Sequence, residues 1–303
     1  MNRMLLALVT LTAFASVSAH AELVVYTDRP TARLQPAADR FTALTGEKVT
    51  FVEAGFPDLA KRLESEGAAS SADLLIAKDI VFLSEATQKG FFQPMKISAA
   101  VERVAPAMRD TAGHWVALTF RARTLAYDPS RVDSSSINDY EDLAKPEWAG
   151  RLCLRSAKGS YNESLSSYLI ATRGEAGARS ILKGWVENLA APVFPNDTSL
   201  LEAIAAGSCD VGIVNHYYLA QLHALNPNFP VKIKFLGQTS GGVHANGAGV
   251  GIVKSSRNQE IAQAFIELLL SDEFQLQISA GHLDYPAVSG LSPSSLIKDW
   301  GTF

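Results

Sequence analysis

Val211-Gly212-Ile213-Val214-Asn215-His216-Tyr217-Tyr218-Leu219-Ala220-Gln221-Leu222 passes from an apolar run through a polar corner into a helical pattern. The run reads as a buried strand, and its C-terminal end is where open α/β sheets bind ligands. Neighbouring side chains on a strand point to opposite faces, and on a helix they diverge by about 100°, so both phenols can reach one point only at a strand-to-helix corner. Two hard phenolate oxygens meeting there suit a hard trivalent cation. An aromatic pair with one ring buried and one exposed would account for the same letters.

The pattern around this corner repeats along the chain. Leu23 to Tyr26 reads as a strand ending at Thr27-Asp28-Arg29-Pro30, and a helix with apolar positions Leu34, Ala38, Phe41 and Leu44 stops at Gly46. Lys48 to Glu53 is the next strand. A helix over Leu59 to Glu66, closed by Gly67, leads to the strand Ala72 to Ala77, which ends at Lys78-Asp79. A second block begins with the strand Leu152 to Arg155, followed by helices over Glu163 to Thr172 and Ala176 to Leu189. Asn196-Asp197-Thr198 then offers an N-cap for Ser199 to Ala206, with Gly207 behind it. This β-α-β period predicts an α/β fold with largely parallel pairing. The extended segments Trp115 to Tyr127 and Gly247 to Val253, the latter followed by a Ser-capped helix over Gln259 to Leu270, lie between the blocks and predict two crossings that act as a hinge.

Arg3, the apolar run Met4 to Val17 and the small-x-small sequence Ala19-His20-Ala21 predict a signal peptide over residues 1–21, cleaved before Glu22. Later apolar runs are too short and too charged at their flanks to cross a membrane. Loss of Arg3 moves the charge from −4 to −5, 26 Lys+Arg against 31 Asp+Glu. With no basic stripe, that balance argues against nucleic acid and anionic lipid as partners. A mature length of about 280 residues favours two domains. The two cysteines, Cys153 and Cys209, each lie near the start of a predicted strand, Arg151 to Arg155 and Asp210 to Val214, and in an exported chain an even count predicts a structural disulfide, with two buried free thiols as the alternative. No C-x-x-C or H-E-x-x-H occurs to support zinc or redox chemistry.

At these residues the chain resembles a known family. SSADLLIAKD (Ser70 to Asp79), WVALTFRARTLAYDP (Trp115 to Pro129), LCLRSAKGSYNESL (Leu152 to Leu165), NDTSLLEAIAAGSCDVGIVNHYYLAQL (Asn196 to Leu222), GAGVGIVKSS (Gly247 to Ser256) and DYPAV (Asp284 to Val288) look like the ferric-ion-binding periplasmic proteins of ABC importers. The resemblance runs in order through nearly the whole mature chain, and the N-x-Y-Y corner is its most specific element. It implies the two-lobed type II periplasmic binding protein fold, each lobe a mostly parallel sheet flanked by helices, with the ligand in the interlobe cleft. The implied lobes are 22–121 with 246–289, and 122–245 with 290–303.

The resemblance further implies that Tyr217 and Tyr218 bind Fe(III) as phenolates, joined by Tyr161 from the first corner of the second lobe. Three phenolates neutralise a trivalent ion, and since a free phenol has a pKa near 10, binding should release protons. Carbonate or another small synergistic anion would complete the coordination, held by Arg121 with Arg123 as the neighbouring candidate, because a guanidinium fork matches a planar oxyanion. Helix starts at Asn162 and Tyr218 would add backbone donors. The implied partner is an inner-membrane ABC permease, and the implied assembly a monomer. The chain departs from the family where Pro30 and Thr31 stand in place of a His-Tyr pair. Asp28 and Asp79 are the first-lobe candidates for an additional metal or cleft contact, with capping as their alternative role. Tyr26 reads as cleft support and His216 as a non-ligand.

Two other functions fit parts of the pattern. A two-lobed binder of a small organic anion, a phosphonate or carboxylate, would use Arg121 and the helix starts without metal. A periplasmic enzyme would need an ordered catalytic set, and Gly-x-Ser-x-Gly is absent. The expectation is therefore a binding protein and not an enzyme.

Overall fold

A computed structural model describes residues 22–158, 160–301 and 303. The predicted signal peptide, residues 1–21, lies outside the described residues. Leu23 to Thr27 alternates faces between two helical layers, and the first strand, β1 (Glu22–Thr27), pairs in parallel with β2 (Lys48–Glu53) and β3 (Leu74–Ala77). The helices between them run where the apolar spacing predicts. α1 (Gln35–Thr45) carries Pro36 in its first turn and ends on Gly46 in the left-handed region, φ 80°. α2 (Phe56–Glu66) ends on Gly67, φ 51°. Only a residue without a Cβ adopts these angles without strain, so the two glycines fix where the helices stop. After β3 comes α3 (Ile80–Gln88), whose N-cap is Asp79, then the short β4 (Phe92–Gln93) and α4 (Ala99–Glu102).

The crossings are β5 (Val116–Tyr127) and, much later, β9 (His244–Val253), which pair antiparallel with a register shift between Ala117 and Thr119. A Cβ on Gly247 would collide with the Thr119 carbonyl oxygen, so glycine is what lets the two crossing backbones approach there.

Beyond the crossing, β6 (Leu152–Cys153) is shorter than the predicted strand, since Arg155 keeps only an isolated bridge to Phe194. It leads into α5 (Ser160–Glu187), broken at Gly174, φ 70° and ψ 166°, into the two predicted helices. α6 (Asp197–Ala205) is capped by Asn196, whose side chain accepts from the Ser199 N–H at 2.8 Å. β7 (Val211–Asn215) and α7 (His216–Leu225) form the corner that the sequence predicts. β6 and β7 are parallel neighbours, and Cys153 and Cys209 are joined as a disulfide beside that pairing.

The chain continues through β8 (Lys232–Lys234) and β9 to α8 (Gln259–Leu269), α9 (Asp272–His282) and β10 (Tyr285–Pro286). The cap of α8 differs from expectation. Asn258 holds the N-cap position without a side-chain bond, while Ser256 Oγ accepts from Asn258 N and donates to Asp73.

The sheet order is β2-β1-β3-β9-β5-β7-β6. Pairing is parallel among the strands proper to each end and antiparallel wherever a crossing strand joins them. Apolar side chains gather separately on either side of the crossing. One group, including Leu74, Ile76, Leu118, Val250 and Phe265, lies with β1 to β3, and another, including Leu125, Tyr140, Trp185, Ile213 and Leu236, lies with β6 and β7. Phe120 touches both, stacked on Tyr285 and edge-on to Phe303. Two cores linked by two strands leave a cleft between them, and the strand ends point into it. Among the described residues no helix is long and apolar enough to cross a membrane.

Candidate metal centre

Three helix starts converge on one wall of the cleft: Tyr161 in the first turn of α5, Asp197 in that of α6, and Tyr217 and Tyr218 in that of α7. Tyr217 Oη donates to Tyr161 Oη at 3.1 Å, and the Tyr217 and Tyr218 ring centres are 4.4 Å apart. The strand-to-helix corner is what turns two successive phenols to the same side. Among the described residues no group of three His, Cys, Asp or Glu could hold a metal ion, so hard donors gathered here are phenolic.

A buried charge network fixes this wall. Asp197, with no exposed surface, accepts from Asn215 N at 2.9 Å and Arg123 Nη1 at 3.1 Å through Oδ2, and from Arg155 Nη1 at 3.4 Å through Oδ1. Arg123 Nε donates to Asn162 Oδ1, and Asn162 Nδ2 donates to the carbonyls of Arg155 and Ser156, which pins the loop ahead of Tyr161. Arg123 is thus spent inside the second lobe and does not line the cleft. It sits two residues further along β5 than Arg121, which carries the same face of the strand deeper under the second core.

Arg121 does line the cleft. It is 5% exposed, donates from Nη1 to the Lys78 carbonyl at 2.9 Å, and its guanidinium carbon stands 5.1 Å from the Tyr161 ring centre. Its Nε and Nη2 have no hydrogen-bond partner. The nearest carboxylate oxygen, on Asp79, is 3.7 Å from Nη2. Burial alone would lower the Arg121 pKa, but Tyr161, Tyr217, Asp284 and Asp79 together raise it. Burial raises the pKa of Tyr217 well above the ordinary phenol value, reinforced by Tyr161 and Tyr218, and burial likewise raises that of Tyr218. Both phenols are therefore neutral at pH 7 unless a cation displaces the proton.

The opposite wall of this ≈ 290 Å³ cleft is cationic. Arg29, Arg33 and Lys78 line it with Pro30, His282 and Asp284. Arg29 is 7% exposed, and its Nη2 meets His282 Nδ1 at 3.3 Å. Burial lowers the pKa of Arg29, and burial lowers that of His282 to about 4, so the imidazole is neutral and accepts.

Asp28 and Asp79 are occupied elsewhere. Asp28 Oδ1 accepts from Lys78 N at 2.7 Å, and Asp79 caps α3 through Val81 N at 3.0 Å while accepting from Asn246 Nδ2 at 2.9 Å. Neither lines the cleft. Tyr26 does not support the cleft as expected. Its hydroxyl donates to the Glu66 carboxylate on α2, because residue 26 points to the far face of β1. His216 accepts from Ala122 N through Nδ1 and donates to the Leu283 carbonyl through Nε2, which occupies both ring nitrogens. Arg29, Arg33, His282 and Asp284 had no role in the sequence reading. Arg29 could have been found, since it follows the C-terminal end of β1, where α/β sheets bind ligands.

Comparison with known proteins agrees with this architecture. Residues 69–298 match the family of bacterial extracellular solute-binding proteins. The chain is 35% identical over 272 residues to iron uptake protein A1 of Synechocystis sp. (strain ATCC 27184 / PCC 6803 / Kazusa), covering 87% of this chain and 75% of that protein. Among solved structures it is similar to Trichodesmium FutA in complex with iron and citrate ligands, with a TM-score of 0.85, 36% identity, and 93% and 91% of the two chains covered. It is also similar to Mannheimia haemolytica ferric iron-binding protein A in an open conformation, with a TM-score of 0.82, 34% identity, and 93% and 90% covered.

Proposed function

The chain belongs to the bacterial extracellular solute-binding protein family, and from that premise we propose that it captures Fe(III) in the periplasm and delivers it to an inner-membrane ABC permease. The observation that carries the reading is the meeting of Tyr161, Tyr217 and Tyr218 at one wall of a cleft, with two hydroxyls 3.1 Å apart. The named iron proteins among its relatives support the cargo. Three phenolates balance the ferric charge, so binding exchanges three phenolic protons for the ion. Arg121 supplies two free buried donors to an anion on the remaining positions.

We assign the lobes as 22–121 with 246–289, and 122–245 with 290–303. The separate cores support that division, although Leu283 and Tyr285 pack with the second. Cleavage of residues 1–21 and action as a monomer belong to the same proposal. The first lobe closes over the cargo without a His-Tyr pair, which makes the centre one-sided.

A metal-free organic anion is the second reading, favoured by the cationic wall. It leaves the three convergent phenols without a purpose. The deciding measurement is the visible spectrum and metal content of protein purified from iron-containing medium. A ferric-phenolate charge-transfer band with stoichiometric iron is expected. Folded protein that stays colourless and metal-free when offered ferric chelates would overturn the assignment.

A further inference from the structure

We propose that Asn246 is a positioning residue for Tyr161: through Ser164 its amide ties the helix start that carries this phenol to the first lobe, so that the first lobe acts on the cargo through the hinge and not through a ligand of its own. The proposal rests on the ferric reading above. Arg121 on β5 and Asn246 on β9 are paired residues of the crossing strands, and residues paired across antiparallel strands project from the same face. Both side chains meet the start of α3 in the first lobe. Arg121 donates to the Lys78 carbonyl, and Asn246 Nδ2 donates to Asp79 Oδ1 at 2.9 Å. Both also reach the start of α5 in the second lobe, Arg121 at the Tyr161 ring and Asn246 Nδ2 at Ser164 Oγ, 2.8 Å away.

The Asn246 amide has no capacity left. A carboxamide offers two donor hydrogens and two acceptor lone pairs. Here Nδ2 donates to Asp79 and Ser164, and Oδ1 accepts from Ile80 N at 3.1 Å and Gly247 N at 2.7 Å. The two backbone N–H groups fix which end is the oxygen. Ser164 Oγ, accepting from the amide, turns its single hydrogen to His244 Nε2 at 2.9 Å. Asn246, Ser164, Asp79 and His244 are all buried. In such surroundings an unmade bond costs more than a made one contributes, so the chain of bonds from Asp79 to His244 permits one arrangement of the two helix starts.

Ser164 lies three residues after Tyr161, on the same side of α5. The Asn162 bonds that pin the loop ahead of Tyr161 stay within the second lobe, since they run to Arg123, Arg155 and Ser156. The Asn246–Ser164 bond differs in kind, because a displacement of the α3 start pulls on the turn that presents the phenol. Pro30 and Thr31 leave the first lobe without a His-Tyr pair, and this bond gives it another route to the centre. Neither Asn246 nor Ser164 lines the cleft, so substituting them leaves the donor set unchanged.

The test is competition for Fe(III) between the full mature protein and chelators of graded strength, followed at the charge-transfer band, for Ser164→Ala alone and in the Tyr161→Phe and Tyr218→Phe backgrounds. Ser164→Ala removes one hydroxyl and keeps the helix. It should shift the band and weaken iron retention about tenfold, in the range for loss of an outer-shell partner. In the Tyr161→Phe background the same substitution should change retention less than about twofold, whereas beside Tyr218→Phe it should keep its full effect, because only residues acting through one another are non-additive. Asn246→Ala should reproduce this pattern, and adding Ser164→Ala to it should change little further; where circular dichroism shows Asn246→Ala unfolded, the Ser164 series alone decides. A wild-type band and wild-type retention in Ser164→Ala would overturn the inference and leave the ferric reading intact, as would equal losses in the two phenylalanine backgrounds. Wild-type protein that holds no coloured iron would overturn the ferric reading itself.

Discussion

Asp197→Ala removes the one carboxylate that ties the phenol-bearing corner together. Asp197 is fully buried between Arg123 at 3.1 Å and Arg155 at 3.4 Å, and it also accepts from Asn215 N, the last residue before the α7 turn. Deleting one partner of a buried ion pair leaves an uncompensated charge and costs about 3–5 kcal/mol. At about 2–4 °C per kcal/mol for a chain of this size, the melting temperature should fall by roughly 6–20 °C. The effect should reach the metal, because Arg155 stands 5.2 Å from the Tyr161 ring centre and Asn215 sets the angle at which Tyr217 and Tyr218 enter the cleft. Loss of an outer-shell anchor typically reduces metal affinity about 10–100-fold. Urea denaturation of the metal-free protein reads the first effect, and chelator competition monitored at the phenolate band, under conditions where the variant is folded, reads the second. Asp197→Asn keeps the shape and one acceptor and should fall between wild type and alanine in both. A stability loss below about 1 kcal/mol would refute the buried-charge argument. A large loss of stability with unchanged iron affinity would show that the network holds the lobe and not the phenols.

Tyr161→Phe, Tyr217→Phe and Tyr218→Phe should each shift the charge-transfer band and weaken iron retention, and three unchanged spectra would remove the phenolate assignment. Denatured, unreduced protein should show no free thiol by Ellman titration, and reduction should cost about 2–5 kcal/mol while leaving iron binding intact in whatever remains folded, since the Cys153–Cys209 link lies away from the cleft. Burial pushes the imidazole pKa of His216 down to about 4 and that of His244 to about 3. A depressed pKa means that their contribution is complete above the unfolded value near 6.5 and is lost as pH falls from there toward 4 and then 3, on the order of 3–5 kcal/mol each. Histidine NMR should find neither ring titrating above pH 5 in the folded protein, and a titration near 6.5 for either would contradict the burial argument. Arg121→Ala should disturb the spectrum and its anion dependence more than Asp28→Ala or Asp79→Ala, because both aspartates are committed to backbone N–H groups. Loss of iron from a folded aspartate variant, with Arg121→Ala behaving as wild type, would show a direct first-lobe carboxylate ligand.

What could be read from the letters followed local rules. Gly46 and Gly67 marked helix ends because only glycine reaches their backbone angles cheaply, and Asn196 marked a helix start because its side chain can take up an orphan N–H. The tyrosine corner was legible because a short apolar run gives way there to a polar residue and a helical pattern. The cationic wall was not. Arg29 meets His282 across 253 positions, and Asp284, just beyond α9, acts on both Arg29 and Arg121. No periodicity joins those three segments.

The same limit bears on Arg121 and Arg123, which the resemblance gave as the anion's holder and its neighbouring candidate. Their difference arises from Asp197, 74 positions beyond Arg123, which meets one guanidinium and leaves the other with two unpartnered donors. An arginine whose donors folding satisfies is scaffold, and one that folding buries with two donors lacking a hydrogen bond can still take an anion. Pairing information of this kind is carried by the tertiary structure. A chain whose first lobe has Pro30 and Thr31 beside Arg29 must therefore be judged by which cations line the cleft after folding, and Arg29, Arg33, Lys78 and Arg121 do so with the three phenols.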